Sequence, residues 1–220
     1  MINHHPGPEL LLGFAAGTLP EGFALLVATH ATMCPKCRDR IRQGESVGGA
    51  LLYALEPSGI SEDALSRVMA KIETGQSGSP GLDRQQPAHS PMHGVPAPLR
   101  AFIPGSYDDL PWRRVAPGIK QIVLPLDRGG QAKTRLMRLA SGIATPTHSH
   151  KGQEATIVLR GSFSDELGRF GPGDVQQADD RINHQPMADT GEDCICLAVT
   201  DAPLKFDSLV GKILQPIFGF

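Results

Sequence analysis

From Pro8 to about Glu73 the apolar positions recur at three- and four-residue steps: Leu10, Leu11, Phe14 and Ala15, then Phe23, Leu26, Val27 and His30. That period follows the turn of an α-helix and predicts a series of short amphipathic helices. Gly17 is placed to close the first. Thr18-Leu19-Pro20-Glu21 has the T-x-x-E form of a capping box that would open the second. Pro35 suits the first turn of a third helix, where its missing N–H leaves nothing unsatisfied. A fourth begins near Ser61 and carries Leu65, Val68, Met69 and Ile72 on one face.

Beyond Trp112 the period shortens. The runs IKQIVLPL, TRLMRLA, EATIVLRG, GSFSDE and CICLAVT are separated by glycine-rich turns such as DRGG and GPGD. Many short strands without intervening helices predict a β-sandwich or small barrel. Between the two patterns, residues 74–98 hold twelve Gly, Pro or Ser and only Leu82, Met92 and Val95 as larger apolar residues. Such a segment cannot bury enough surface to order itself and is expected to be a flexible linker. His89 and His93 lie in it at H-x3-H spacing, but the surrounding prolines forbid the helix that would make a ligand pair of them. The expectation is a multidomain α plus β chain: a helical module over 1–73, the linker, and a β domain with a C-terminal extension over 99–220.

Length and composition narrow this little. The 220 residues suffice for one large or two modest cores, and a formal net charge of -2 gives no general attraction to phosphate or anionic lipid. Residues 1–73 hold six Lys or Arg against eight Asp or Glu, the wrong sign for a module that grips DNA. LLLGFAAG and FALLVA are too short to span a bilayer, and the N-terminus lacks the basic and then apolar pattern of a signal peptide, so a cytoplasmic protein is expected. The four cysteines, Cys34, Cys37, Cys194 and Cys196, form two close pairs rather than a disulfide framework, which points to metal or redox chemistry.

His30, Cys34 and Cys37 stand at H-x3-C-x2-C spacing, three ligands of a tetrahedral zinc site. Residues 38–88 contain no histidine, so the fourth ligand cannot follow as in a C2H2 finger. His4 and His5 are the nearby candidates, delivered if the N-terminus folds back over the helix pair. A zinc here would be structural, supplying on the order of 10 kcal/mol to the folding of a marginal core.

The stretch from Gly142 to Gly161 reads G-x5-H-x-H-x3-E-x6-G and resembles the first cupin motif. A strand's period of two sets His148 and His150 side by side on one face. Glu154 would return from the next turn as a carboxylate ligand. Phe170-Gly171-Pro172-Gly173-Asp174 supplies the turn of a weaker second motif, and His184, the last histidine in the chain, becomes the fourth ligand by elimination as well as by motif. Such a His3Glu set suits zinc, iron, manganese or nickel about equally.

A helical H-x3-C-x2-C module joined to a cupin resembles the ChrR family of zinc-binding anti-sigma factors. The likeness runs through His4-His5, AAGTL at 15–19, ATHATMCPKC, the H-x-H-x3-E motif, GSFSDELGRFGPGD, and EDCICLAVTDAPLKF to the terminal LQPIFGF. The resemblance implies a small zinc-binding helical bundle followed by a cupin β-barrel of the jelly-roll kind. It implies His5 as the fourth zinc ligand with His30, Cys34 and Cys37, and a second metal on His148, His150, Glu154 and His184. It further implies that the helices hold a group IV (extracytoplasmic-function) sigma factor away from RNA polymerase. The cupin half would be needed to answer singlet oxygen or peroxide. No catalytic residue, organic cofactor, nucleic acid or membrane is part of that expectation, and a homodimer of the free protein stays open.

On a strand, Cys194 and Cys196 share a face and could meet an oxidant together. Zinc thiolates at Cys34 and Cys37 are the rival sensor. The competing function is a metal-dependent cupin dioxygenase carrying a zinc-bound docking domain.

Overall fold

The structure is a computed structural model, and it describes residues 1–75, 94–126 and 132–206. His89, His93 and the terminal LQPIFGF lie outside the described residues. Four helices come first: α1 Pro8–Ala15, α2 Glu21–Met33, α3 Pro35–Tyr53 and α4 Ala64–Glu73. Gly17 closes α1 at a φ of 67°, a conformation that costs glycine least. The start of α2 differs from expectation. Thr18 turns its hydroxyl back to the Gly13 carbonyl at 3.3 Å, and Pro20 precedes the helix with no side-chain cap. Because Glu21 is already the first helical residue, the T-x-x-E spacing falls on the connection and cannot close a capping box.

A single extended residue, Cys34 at φ -116° and ψ 99°, separates α2 from α3, and Pro35 begins α3 as predicted. This corner places Cys34 and Cys37 a short step beyond His30.

The strands are β1 Arg113–Ala116, β2 Ile119–Val123, β3 Lys133–Leu139, β4 His148–His150, β5 Glu154–Arg160, β6 Phe163–Asp165, β7 Gly168–Phe170, β8 Val175–Ala178, β9 Met187–Ala188, β10 Cys194–Thr200 and β11 Leu204–Phe206. They pair antiparallel as a six-stranded sheet, β1-β2-β3-β10-β5-β8, a three-stranded sheet, β7-β6-β9, and the pair β11-β4. The described residues thus bear out the α plus β expectation, helices first and an antiparallel barrel after.

Strand β10 is buried along its whole length. Cys194, Cys196 and Ala198 join Met137, Val158 and Phe163 in one apolar cluster inside the barrel. Ile195, Leu197 and Val199 belong to another, shared with Ile157, Leu26, Val27 and Phe23. A strand covered on both faces reads as a continuous apolar run, which is why CICLAVT shows no alternation. Helix α2 lies against β5 and β10, so the helical half is seated on the sheet. Leu26 and Val27 are completely buried there, each side chain contributing about 1.5–3 kcal/mol.

Two segments depart from a simple bundle and linker. Val95 is buried, and a 3-10 turn at Ala97–Leu99 carries Leu99 fully into the shared core. Val95, expected to be linker, is therefore packed, because α2 and the sheet together offer a seat that neither half's sequence displays alone. Helix α4 buries none of its residues.

Candidate metal centres

His30 sits on the last turn of α2, Cys34 at the corner, and Cys37 in the first turn of α3. The chain before α1 folds back as a strap and brings His5 to them. The four ligand atoms lie within 4.8 Å of one another, and His30, Cys34 and Cys37 are buried. His5 Nδ1 is 3.4 Å from both the Cys34 and Cys37 sulfurs. Nitrogen and sulfur bound tetrahedrally to one zinc would stand about 3.6 Å apart, so the spacing fits.

Protons support the same reading. His30 Nδ1 is 2.8 Å from the Gly173 carbonyl, which can only accept, so Nδ1 carries the hydrogen and Nε2 presents a lone pair. That Nε2 is buried without a hydrogen-bond partner, the condition of a ligand aimed at a cation. Burial holds the His30 and His5 imidazoles below their ordinary range, keeping them neutral. Burial, and then the hydrogen bond with Cys34, pushes the Cys37 thiol up to about 11. Two adjacent buried thiols lose their protons readily only to a dication, and a His2Cys2 set of this kind favours zinc.

The second group forms inside the barrel. His148 and His150 bound β4, and His148 exchanges two 3.1 Å backbone hydrogen bonds with His184, which fixes the later histidine beside the motif. The ligand atoms of His148, His150 and His184 lie within 4.8 Å of one another, and all three residues are buried. His148 Nδ1 donates to the Pro146 carbonyl at 2.9 Å, and His184 Nδ1 pairs with Asp165 Oδ2 at 2.8 Å, so both rings turn Nε2 inward. The Nε2 atoms of His150 and His184 approach to 3.1 Å. Two nitrogens held at about 2.1 Å from one ion stand roughly 3.0–3.4 Å apart, so this trio also fits a metal. Burial lowers the His148 imidazole and brings His150 to about 4.

Glu154 stands beside the trio rather than within that 4.8 Å group. Its Oε2 is 3.2 Å from His150 Nδ1, on the far side of the ring from His184, and its Oε1 accepts from Thr156 at 3.0 Å. The carboxylate also borders a largely apolar cavity with His148, Met137, Phe163, Cys194 and Cys196. Cys194 is fully buried, and the Cys196 thiol is held well above its ordinary range, first by the hydrogen bond with Cys194 and then by burial.

Residues 103–203 match the ChrR Cupin-like domain family. Across 217 residues, 99% of this chain and 98% of the relative, the sequence is 43% identical to the anti-sigma-E factor ChrR of Cereibacter sphaeroides. The chain belongs to the ChrR family. The crystal structure of Rhodobacter sphaeroides SigE in complex with the anti-sigma ChrR superposes with a TM-score of 0.78 at 43% identity, covering 91% of this chain and 100% of that one. A cupin protein of Ralstonia eutropha superposes with a TM-score of 0.42 at 20% identity, over 48% of this chain and 71% of that one.

Three residues that position ligands in this ChrR-family chain, Asp165, Gln176 and Gly173, were not foreseen in that role from the sequence. Asp165 and His184 bury their side chains completely against each other, and Asp165 also accepts from Gln176 Nε2 at 2.6 Å. Gly173 orients His30 across a separation of 143 residues. The only signal for Asp165 was an acidic residue ending the short run GSFSD, and Gly173 was visible solely as part of a turn. Replacing Asp165 by alanine frees the His184 ring to rotate, and an outer-shell loss of this kind weakens metal binding about 10–100-fold. Metal content after dialysis against a graded chelator is the check; unchanged retention would remove Asp165 from the centre.

Proposed function

We propose that this chain is an anti-sigma factor that sequesters a group IV (extracytoplasmic-function) sigma factor through its helical module, not an enzyme. The observation that carries the reading is the outward apolar surface of α3, α4 and the connection between them. Leu51, Leu52, Leu55, Ile60, Leu65 and Ile72 are all at least 66% exposed, although α4 has an apolar side to bury. An amphipathic helix in that condition is suited to docking in or around a partner. The whole-length relationship to an anti-sigma-E factor supplies the class of partner.

On this reading zinc at His5, His30, Cys34 and Cys37 holds α2 and α3 at their corner and so fixes where the docking face begins. A second divalent metal is held by His148, His150 and His184, and Glu154, whose Oε2 here pairs with His150 Nδ1, becomes the fourth ligand by turning its carboxylate to the ion. The helical module over 1–73 and the cupin domain from 99 act as the two functional parts, and the site of action is the cytoplasm. Co-purification from the native host tests the partner: a sigma factor at one per chain is expected, and its absence from fully metal-loaded protein would end the proposal.

The cupin half is proposed to read singlet oxygen or peroxide. Cys194 and Cys196 line the cavity beside His148, so a small uncharged oxidant entering there meets both sulfurs and the metal ligands. The raised Cys196 thiol keeps its reactive thiolate scarce, which slows its reaction with any oxidant that needs the thiolate, peroxide included, and burial shields it from oxidants that stay in bulk solvent. A Cys194→Ser, Cys196→Ser variant is expected to release sigma factor several-fold more slowly under oxidant. Release at the wild-type rate would exclude these sulfurs, and loss of zinc before release would transfer the role to Cys34 and Cys37.

A further inference from the structure

The N-terminal strap reaches the helical centre by lying along the edge of the barrel. Asp174 Oδ1 accepts from the backbone N–H groups of Asn3 and His4 at 2.6 and 2.8 Å. Val175 N–H donates to the His4 carbonyl at 3.1 Å, and Gly7 N–H donates to Gln177 Oε1 at 2.5 Å. Residues 3–7 thus run alongside β8, the outermost strand of the six-stranded sheet, held by one backbone bond and by the side chains of Asp174 and Gln177. The His4 ring rests on Phe170, with centroids 4.4 Å apart. Gly173 has a φ of 89°, and a Cβ there would come within 2.6 Å of Ile2, so the turn is shaped to let the strap pass.

This edge supports both histidines of the helical centre. His5 directly follows the two residues pinned by Asp174, and His30 is oriented by the carbonyl of Gly173. We infer that Asp174 is a positioning residue for the helical metal centre: its carboxylate fixes the strap so that His5 reaches Cys34 and Cys37, making that centre's integrity depend on the barrel. The inference rests on the proposal that His5, His30, Cys34 and Cys37 hold zinc. A side chain between those contacts serves the other centre, since Gln176 of β8 donates to Asp165 behind His184. One short strand therefore braces both sites.

The physical case is one of anchoring. A terminal segment without side-chain or sheet contacts samples many conformations, and a ligand carried on it binds only in the fraction that is placed. Two backbone N–H groups on one carboxylate oxygen form charge-assisted bonds, the stronger class. An asparagine amide oxygen at the same place can still accept both, whereas alanine cannot.

The test uses the full chain loaded with zinc and follows zinc transfer to a chromophoric chelator, with hydrogen exchange at Asn3, His4 and Gly7 recorded in parallel. Asp174→Ala is expected to speed the loss of one zinc per chain about 10–100-fold and to expose the three amides. Asp174→Asn should restore most of the wild-type rate, a rescue that a general loss of barrel stability would not give. Should Asp174→Ala fold poorly, Gln177→Ala is expected to accelerate the same zinc several-fold through Gly7. Release within twofold of wild type in Asp174→Ala, or in Gln177→Ala where that variant stands in, would overturn the inference. Wild-type protein that takes up no zinc on the four residues would instead overturn the metal reading beneath it.

Discussion

Changing Cys37 to serine is expected to empty the helical centre of zinc and to abolish capture of the sigma factor, a loss of at least about 100-fold in affinity. Cys37 is wholly buried at the start of α3, and a serine hydroxyl is a poor substitute for a thiolate ligand. The metal's binding energy, on the order of 10 kcal/mol, is folding energy for whatever it holds together. Here that is the corner at Cys34, beyond which α3 buries only Cys37 and Ile41. Without zinc, α3 loses its fixed direction and the docking face beyond it is no longer presented. The barrel keeps its own interior cluster, so metal analysis should show one ion lost while the strand signal in circular dichroism persists. Sigma factor bound tightly by zinc-depleted Cys37→Ser would refute the structural role assigned to the metal.

The second large effect is expected on the outer face of α4. Leu65 and Ile72 are 71% and 66% exposed and Met69 is 48% exposed, so a Leu65→Asp, Met69→Asp pair removes no internal packing. Stability should change by no more than about 0.5 kcal/mol. Two apolar anchors at a partner interface are worth at least about 2 kcal/mol each, which corresponds to roughly a thousandfold loss of affinity. Calorimetric titration with the co-purified sigma factor measures it. Wild-type binding by this pair, with metal content intact, would place the docking surface elsewhere.

The halves of the chain were legible because each period is local. The three- and four-residue steps gave α1 to α4, and the short runs gave β2, β3, β5, β6 and β10. The H-x3-C-x2-C spacing placed three ligands around one corner, and the strand period brought His148 beside His150. His184 was found by counting histidines, while the reason it stands there, reciprocal backbone bonds to His148, was not visible. The choice of His5 over His4 came from family resemblance alone. In the structure it follows from the strap, which directs His4 to Phe170 and His5 to the sulfurs. Contacts made by one half with the other were the illegible part. Val95 looked like linker because its seat is built by α2 and the sheet. Cys194 and Cys196 visibly shared a face, but only the register of β10 shows that the face is the barrel's interior. Asp174 looked like a turn residue, and its two strongest partners lie at the opposite end of the chain.

That last separation sets an order of events during synthesis. Asn3 and His4 bond to a carboxylate 171 and 170 positions further along. At about 5–20 residues per second, the interval between translating one and the other is on the order of ten to thirty seconds. In its later part the nascent chain has His30, Cys34 and Cys37 but no edge on which to seat His5, while the apolar face of α4 is already outside the ribosome. The helical centre, first in the sequence, therefore matures only once the barrel edge has been made, and zinc held there by newborn chains would exchange more freely than in the finished protein.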